Sequence, residues 1–322
     1  MRIQDLDSLS DRLLPQLVTF GASDGDPPQD AGVIRRLRKM GHPASDYWGV
    51  YAVEGDQLLS RVETLHLAFT GRAGPQTVLG ISDVLTRPSA VGRGFARTLL
   101  REVHRREVAR GRTWSFLWTH RTWGAHRLYL ELGYRDVYSP VHALRHIPRG
   151  MRPTPPSGYR WSVARERDAG RLERLVETAN RDRLGFVPRS PGWARIRFAF
   201  GWRKPENHRI LFQGSKPVGY ALISDERDWN LSVNEVILTS TDYIDVMLRS
   251  LEGLARGRWL TFQETSFPAD AAGPLREFGY TVGSASHEVL MAKHLRPHPP
   301  EGEDLLQVFA DPLFSGHRGD MF

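Results

Sequence analysis

The stretch Asp83-Val84-Leu85-Thr86-Arg87-Pro88-Ser89-Ala90-Val91-Gly92-Arg93-Gly94-Phe95-Ala96-Arg97-Thr98-Leu99-Leu100 decides the reading of this 322-residue chain. Val84 and Leu85 favour a strand, and Pro88, which has no amide hydrogen to give a sheet, ends it. Gly92 and Gly94 permit a tight turn of bare backbone. Phe95, Leu99 and Leu100 then recur at helical spacing. A strand, a glycine turn and a helix in that order gather uncommitted amides at one spot, which suits an anion such as a pyrophosphate. Further along stands Ala125-His126-Arg127-Leu128-Tyr129-Leu130-Glu131-Leu132-Gly133-Tyr134, a short amphipathic helix closed by glycine.

The length exceeds one average domain, so two are expected. No apolar run approaches the roughly 20 residues of a membrane span. The N-terminus carries Asp5 and Asp7 and lacks the apolar core of a signal peptide, which predicts a soluble, cytoplasmic protein. With no cysteine, disulfides, thiolate metal ligands and cysteine nucleophiles are excluded. The net charge is +7, and only Lys39, Lys204, Lys216 and Lys293 among the 44 basic residues are lysines. Such a balance suits either a polyanionic ligand or a generally basic surface. The arginines are scattered and no nucleic-acid module is recognisable, so neither a nucleic-acid nor a membrane partner is expected. His120 and His126 lack a glutamate at zinc spacing, so no metal site is expected.

Pro148-Arg149-Gly150-Met151-Arg152-Pro153-Thr154-Pro155-Pro156-Ser157-Gly158 reads as a stiff linker. A second break follows Arg296. The expected division is a catalytic domain at 1–147, a linker at 148–158, a degenerate copy at 159–296 and a tail at 297–322. Leu132-Gly133-Tyr134 echoes Phe278-Gly279-Tyr280 at an offset of 146 residues. Hairpins are expected at 48–60 and again at 211–222. At the same offset Tyr129 falls on Leu275, Gly94 on Ser240 and Ala96 on Asp242, so the second copy lacks the hydroxyl and the glycines and gains an acid.

The glycine turn and the Tyr129 helix together resemble the GNAT family of acyl-CoA N-acyltransferases. The resemblance covers most of residues 20 to 147. It implies an α/β fold of tandem mixed sheets, each flanked by helices, with acetyl-CoA as co-substrate in an opening between the fourth and fifth strands. Asp83 to Thr86 would be the end of the fourth strand, with Val84, Leu85 and Thr86 along the pantetheine arm. Gly92, Arg93, Gly94, Phe95, Ala96 and Arg97 would wrap the pyrophosphate. Residues 113–119 would be the fifth strand, and Gly124 and Ala125 would begin the helix beside the CoA tail. Val91 and Thr122 depart from the family, which usually has Arg or Gln at the first position and often Asn at the second. The second half, through Trp229-Asn230-Leu231-Ser232-Val233-Asn234-Glu235-Val236-Ile237-Leu238-Thr239-Ser240, resembles the central domain of Eis-like acetyltransferases. It implies a shortened relative without their sterol-carrier-like domain, and a homo-oligomer as those relatives form.

Acyl transfer to an amine needs a proton acceptor for the amine and a proton donor for the leaving thiolate. By the resemblance Tyr129, four residues before Gly133, is the acid; its other reading is a packed core tyrosine. Four candidates stand for the base. Asp83 opens the strand end facing the reaction, or is simply paired with an arginine. Glu63 lies within a strand of mixed polarity. His120 follows the fifth strand. Phe322 ends an apolar tail, and in Eis-like enzymes a terminal phenylalanine carboxylate enters the site. Arg93, Arg97 and Arg101 share a helix face toward CoA phosphates or toward solvent. Trp118 and Trp123 would flank the cleft, and the acceptor would be chosen by loops such as 69–75. The expected function is acetyl transfer to a primary amine of a small molecule or peptide. The alternatives are a protein or peptide amine acetyltransferase and an acyl-CoA-binding module with little turnover.

Overall fold

The computed structural model describes residues 1–10, 12–13, 15–17, 48–140, 142–186, 188–189, 191–200, 205–262, 272–283, 287–296, 305–311 and 314–315. The first half contributes β1 (Arg2–Asp5), β2 (Trp48–Glu54), β3 (Gln57–Gly71), β4 (Gly74–Thr86), α1 (Phe95–Ala109) and β5 (Trp114–His120). α2 (Gly124–Glu131), β6 (Arg135–Tyr138) and β7 (His142–His146) complete it. The second half runs β8 (Tyr159–Val163), α3 (Ala169–Asn180), β9 (Leu184–Gly185), α4 (Trp193–Phe200), β10 (His208–Gln213) and β11 (Lys216–Arg227). It continues with β12 (Asn230–Leu238), α5 (Ile244–Leu254), β13 (Trp259–Phe262), α6 (Ala272–Glu277), β14 (Thr281–Gly283) and β15 (Glu288–His294), and β16 (Phe314–Ser315) lies in the tail. No helix among the described residues is long and apolar enough to cross a membrane.

Both expected hairpins form, β2–β3 around Gly55 and β10–β11 around Gly214. The segment 69–75 is the tip of the long β3–β4 hairpin rather than a free loop, and Phe69 is buried in the core. The repeated glycine–tyrosine pair is one device used twice. Gly133 and Gly279 adopt φ of 88° and 79°, the left-handed conformation that glycine takes without strain. The amide of Tyr134 then donates to Tyr129 O at 3.0 Å, and that of Tyr280 to Leu275 O at 3.0 Å. This bond from beyond the glycine to the third-last helical carbonyl closes α2 and α6 alike, and it fixes Tyr129 against Tyr134.

The two sheets exchange a strand. The first runs β1-β2-β3-β4-β5-β15-β6 and the second β14-β7-β13-β12-β11-β10-β8. β15 therefore lies between β5 and β6, antiparallel to both, although the chain reaches it only after the whole second half. β7 takes the matching place between β13 and β14. The linker thus divides the chain without dividing the sheets.

Burial explains the exchange. At β5 the first sheet is covered on both faces. Leu99, Val103, Leu117, Val289 and Met291 pack on one face, and Phe116, Phe186, Leu290, Ala292, Phe309 and Phe314 on the other. A strand there must be apolar on both sides, and Val289-Leu290-Met291-Ala292 is. β7 alternates instead: Ala143 is buried, whereas Leu144 and His146 are exposed, which fits a sheet with one open face.

Candidate active site

β4 and β5 are paired in parallel only at Leu79–Ser115, Gly80–Phe116 and Ile81–Leu117. Beyond Ile81 β4 keeps β3, and β5 keeps β15. Among the described residues, the edge of β4 from Ser82 to Thr86 therefore has no strand on its β5 side. This is the opening that the resemblance implied, and Asp83, Val84, Leu85 and Thr86 lie along it. The β3–β4 register slips between Val62 and Thr64, placing Ser82 and Asp83 of β4 opposite the single residue Glu63. Such a bulge bends the strand and re-aims its side chains.

A charged cluster sits at this bulge. Arg61 Nη2 donates to Asp83 Oδ2 at 2.7 Å, and Arg61 Nη1 lies 3.6 Å from Glu63 Oε1. The Tyr51 hydroxyl donates to Glu63 Oε1 at 3.4 Å. It gets there by folding over Gly49, where any Cβ would collide with it. Arg61 and Glu63 are almost wholly buried, whereas Asp83 is partly exposed toward the opening. Burial pushes the Glu63 carboxyl well above the usual carboxylate range, and the charge of Asp83 and its hydrogen bond to Glu63 add to the rise. Asp83 is thus both paired with an arginine and directed at the opening.

Past β4, Pro88–Ala90 forms one turn of 3-10 helix and Gly92 and Gly94 follow with φ of 82° and 80°. A Cβ on either glycine would meet nothing within 4 Å, so the outer side of the turn is open. Gly94 caps α1 without any side-chain bond, and the first turn of α1 carries no acid. The amides of Phe95, Ala96 and Arg97 are the free donors of that helix end. Arg93 is held by both oxygens of Glu54 and lies over the Phe95 ring, while Arg97 is held by Glu131 of α2.

Tyr129 projects from α2 into the same region. It is 5% exposed, and its hydroxyl makes no hydrogen bond among the described residues. Burial raises its pKa, and the nearby Asp83 charge raises it further, so the phenol keeps its proton. Gly124 opens α2 with free space around it, and Ala125 packs onto the core beside Leu128. Behind Tyr129, the Tyr134 hydroxyl meets Ser115 Oγ at 2.6 Å and His104 Nε2 at 2.8 Å, and Lys293 Nζ from β15 lies 3.3 Å from His104 Nδ1.

Burial, with the Lys293 charge, lowers the His104 pKa to about 3. The unfolded chain binds a proton at His104 below about pH 6.5, and the fold does not until far lower. Its contribution to stability is complete above that pH and is lost as the pH falls through the window. Urea unfolding at pH 7 and pH 5 will show about 1–2 kcal/mol lost from this group alone, and His104→Gln will flatten that dependence. An unchanged pH dependence in the variant would count against it.

His120 is apart from this cluster: its Nδ1 meets Thr122 Oγ1 at 2.6 Å, and its ring contacts Trp123 and His287. Trp123 is 62% exposed beside the start of α2, and Trp118 stands on β5 against Tyr138. Phe322 lies outside the described residues. The described part of the tail returns to the first sheet: β16 pairs with β9, which touches β3, and Phe314 packs on Tyr138. The sequence reading missed Arg61 and Tyr51. An arginine between Ser60 and Val62 in an otherwise buried strand is the signal that would have found the first.

Among its described residues the second half has no such site. Counting back from the last residue of β4 and of β12, Asp83 corresponds to Glu235. Glu235 is buried and clamped by Arg189 and Arg197, the latter at 2.9 Å. Aligned by their helix starts, Gly94 meets Tyr243 rather than Ser240, and Ser240 Oγ takes the amide of Asp242 for itself. Leu275 holds the place of Tyr129.

Residues 64–142 match the family model described as FR47-like protein. No curated protein matches the chain. Among solved structures, a probable N-acyltransferase from Enterococcus faecalis superposes with a TM-score of 0.67 at 14% identity, covering 91% of this chain and 72% of that one. Eis1 from Mycobacterium abscessus gives 0.64 at 16% identity over 92% of this chain and 74% of its own. A tandem GNAT protein from the clavulanic acid biosynthesis pathway gives 0.53 at 13% identity, covering 92% and 100%. The architecture is that of the tandem GNAT folds, a mixed α/β arrangement of two helix-flanked sheets.

Proposed function

We propose that this chain is an acetyl-CoA-dependent N-acetyltransferase that acts on a primary amine of a small molecule or peptide, with the first half as the catalytic one. One observation carries the reading: among the described residues, an unpaired strand edge leads into an uncapped glycine turn, and a phenol without a hydrogen bond stands beside a carboxylate in the same opening.

Each part has a task. The free edge of β4 from Ser82 to Thr86 offers backbone groups to the pantetheine amides, as another strand would. The amides of Phe95, Ala96 and Arg97 receive the pyrophosphate over the open glycine turn, and Arg93 and Arg97 add charge by exchanging their carboxylate partners. Asp83, oriented by Arg61, draws a cationic amine to the opening and accepts its proton, directly or through water. Burial and the Asp83 charge both raise the Glu63 carboxyl, which favours its sharing a proton with Asp83 over a second negative charge beside it. Tyr129 donates to the departing thiolate. The burial that raises the phenol also raises the thiolate, so the two remain close in proton affinity.

The test is free-thiol release from acetyl-CoA over aminoglycosides, polyamines, amino sugars, lysine and peptides. The chain has no cysteine, so the protein adds no background. Amine-dependent release with one class supports the reading and names the acceptor. CoA binding without release from any amine overturns it in favour of an acyl-CoA-binding module.

A further inference from the structure

The second half contains a cavity of about 440 Å³ that no step above uses. One wall is the side of α3 that carries Arg171, Arg174 and Thr178; helical spacing turns Glu173 and Glu177 away from it. The other wall is Lys216 at the start of β11 with Ser240 and Tyr243 from the turn after β12.

Two of the three cations on these walls are left without a carboxylate among the described residues. Some exposed arginines elsewhere hold carboxylates, as Arg93 does Glu54 and Arg249 Asp245, whereas others, such as Arg101 and Arg160, hold none among the described residues. In the cavity Arg171 holds Asp168 at 2.8 Å, but Arg174 and Lys216 have no carboxylate partner among the described residues. Asp242, the acid beside Tyr243 in the chain, is turned to Ser240, whose Oγ donates to it at 2.9 Å.

The first half shows the same place closed. Thr239 N donates to Val218 O at 3.0 Å as Arg87 N donates to Leu59 O at 2.9 Å, so Thr239 and Arg87 are equivalent. Arg87 fills its place, with Nε on Leu58 O at 2.5 Å and Nη2 on Gln16 Oε1 at 2.9 Å. Gln16 completes the plug by taking the amide of Leu58 and giving to Asp56 O. Thr239 is short, and its hydroxyl folds back onto Val218 O at 3.1 Å, which leaves the volume open.

We propose that this cavity binds a small phosphomonoester, with Arg174 and Lys216 on the phosphate and the remainder of the molecule against Thr178, Ser240 and Tyr243. A phosphate dianion matches one guanidinium and one ammonium without a carboxylate partner. The volume lies in the range of small-molecule sites and exceeds what inorganic phosphate fills. The site is on the α3 side of the second sheet, separate from the turn that would take CoA.

The test is calorimetric titration of the full chain in the absence of CoA, whose own 3′-phosphate is a phosphomonoester, using glucose 6-phosphate, AMP, inorganic phosphate and, as an uncharged control, glucose. The expected result is a Kd below about 5 mM for one of the monoesters, a weaker one for inorganic phosphate, and none for glucose. Arg174→Ala with Lys216→Ala will weaken binding at least about tenfold. Thr239→Arg, which rebuilds the plug of the first half, will abolish it while the Tm holds. The sugar and nucleotide arms tell which class is taken. No monoester bound below about 5 mM, or equal binding by the double variant, overturns the proposal.

Discussion

Tyr129→Phe will lower turnover by about 10²- to 10⁴-fold, the usual worth of a positioned proton donor, and leave CoA affinity unchanged. Stability will change by less than about 1 kcal/mol, because the hydroxyl has no hydrogen bond to lose among the described residues and the ring keeps its packing against Tyr134. This combination separates the two meanings of a buried tyrosine. A packing residue would keep its rate on losing the oxygen; a donor would keep its fold and lose its rate. Steady-state kinetics with thermal unfolding of both proteins reads the two together. Equal kcat values would remove Tyr129 from the chemistry. The rate of the unaltered protein should rise with pH as the amine becomes neutral, without the alkaline fall that an ordinary phenol would bring, since burial and Asp83 hold the proton on Tyr129.

The second large effect concerns the exchanged strand. Residues 1–147 expressed alone will not give a cooperatively folded protein. Without β15 the first sheet loses the strand between β5 and β6 and, with it, Val289, Leu290, Met291 and Ala292 from two cores. Four buried apolar side chains, at about 1–3 kcal/mol each, approach the whole stability of a typical domain. The fragment's own β7 cannot substitute. In that place, covered on both faces, Arg145 would enter one core and His142 and His146 the other, and a buried charge or polar ring without a partner is costly. Co-expression of 1–158 with 159–322 will restore a soluble complex. Size exclusion and a thermal melt of each preparation check this, and a fragment 1–147 that melts as sharply and as high as the full chain would refute it.

The parts that the sequence made legible are those whose cause is local. Pro88, Gly92 and Gly94 specify the turn whatever surrounds them, and the strand before it and helix after it lie where their apolar spacing puts them. Gly133 and Gly279 declare the same helix end, so the offset of 146 residues holds from there to β7 and β15, which begin at His142 and Glu288. It fails upstream. The ends of β4 and β12, Thr86 and Leu238, are 152 residues apart, because hairpins and turns accept extra residues at small cost. That is why Gly94 faces Tyr243 and not Ser240. The acidic candidates Asp83 and Glu63 were visible as charges in strands, but their union with Arg61 and Tyr51 depends on a bulge and on a glycine opposite, and neither has a signature in composition. The strand exchange was invisible for a further reason. Pairing partners are chosen by what covers each sheet, and the aromatic tail that covers the first one comes from the far end of the chain.

The place of β15 also bears on how the protein is made. Tyr138 of β6 pairs with Leu290, so 152 residues separate the two sides of that contact. At about 5–20 residues per second a ribosome needs roughly 8–30 s to travel between them. Through that interval the nascent first half presents two unpaired strand edges, on β5 and on β6, with Phe116 and Leu117 uncovered between them. Exposed edges of this kind invite pairing with other chains. Synthesis therefore imposes a period of dependence on holding factors that ends only when β15 emerges, and slow translation through the second half will lengthen it.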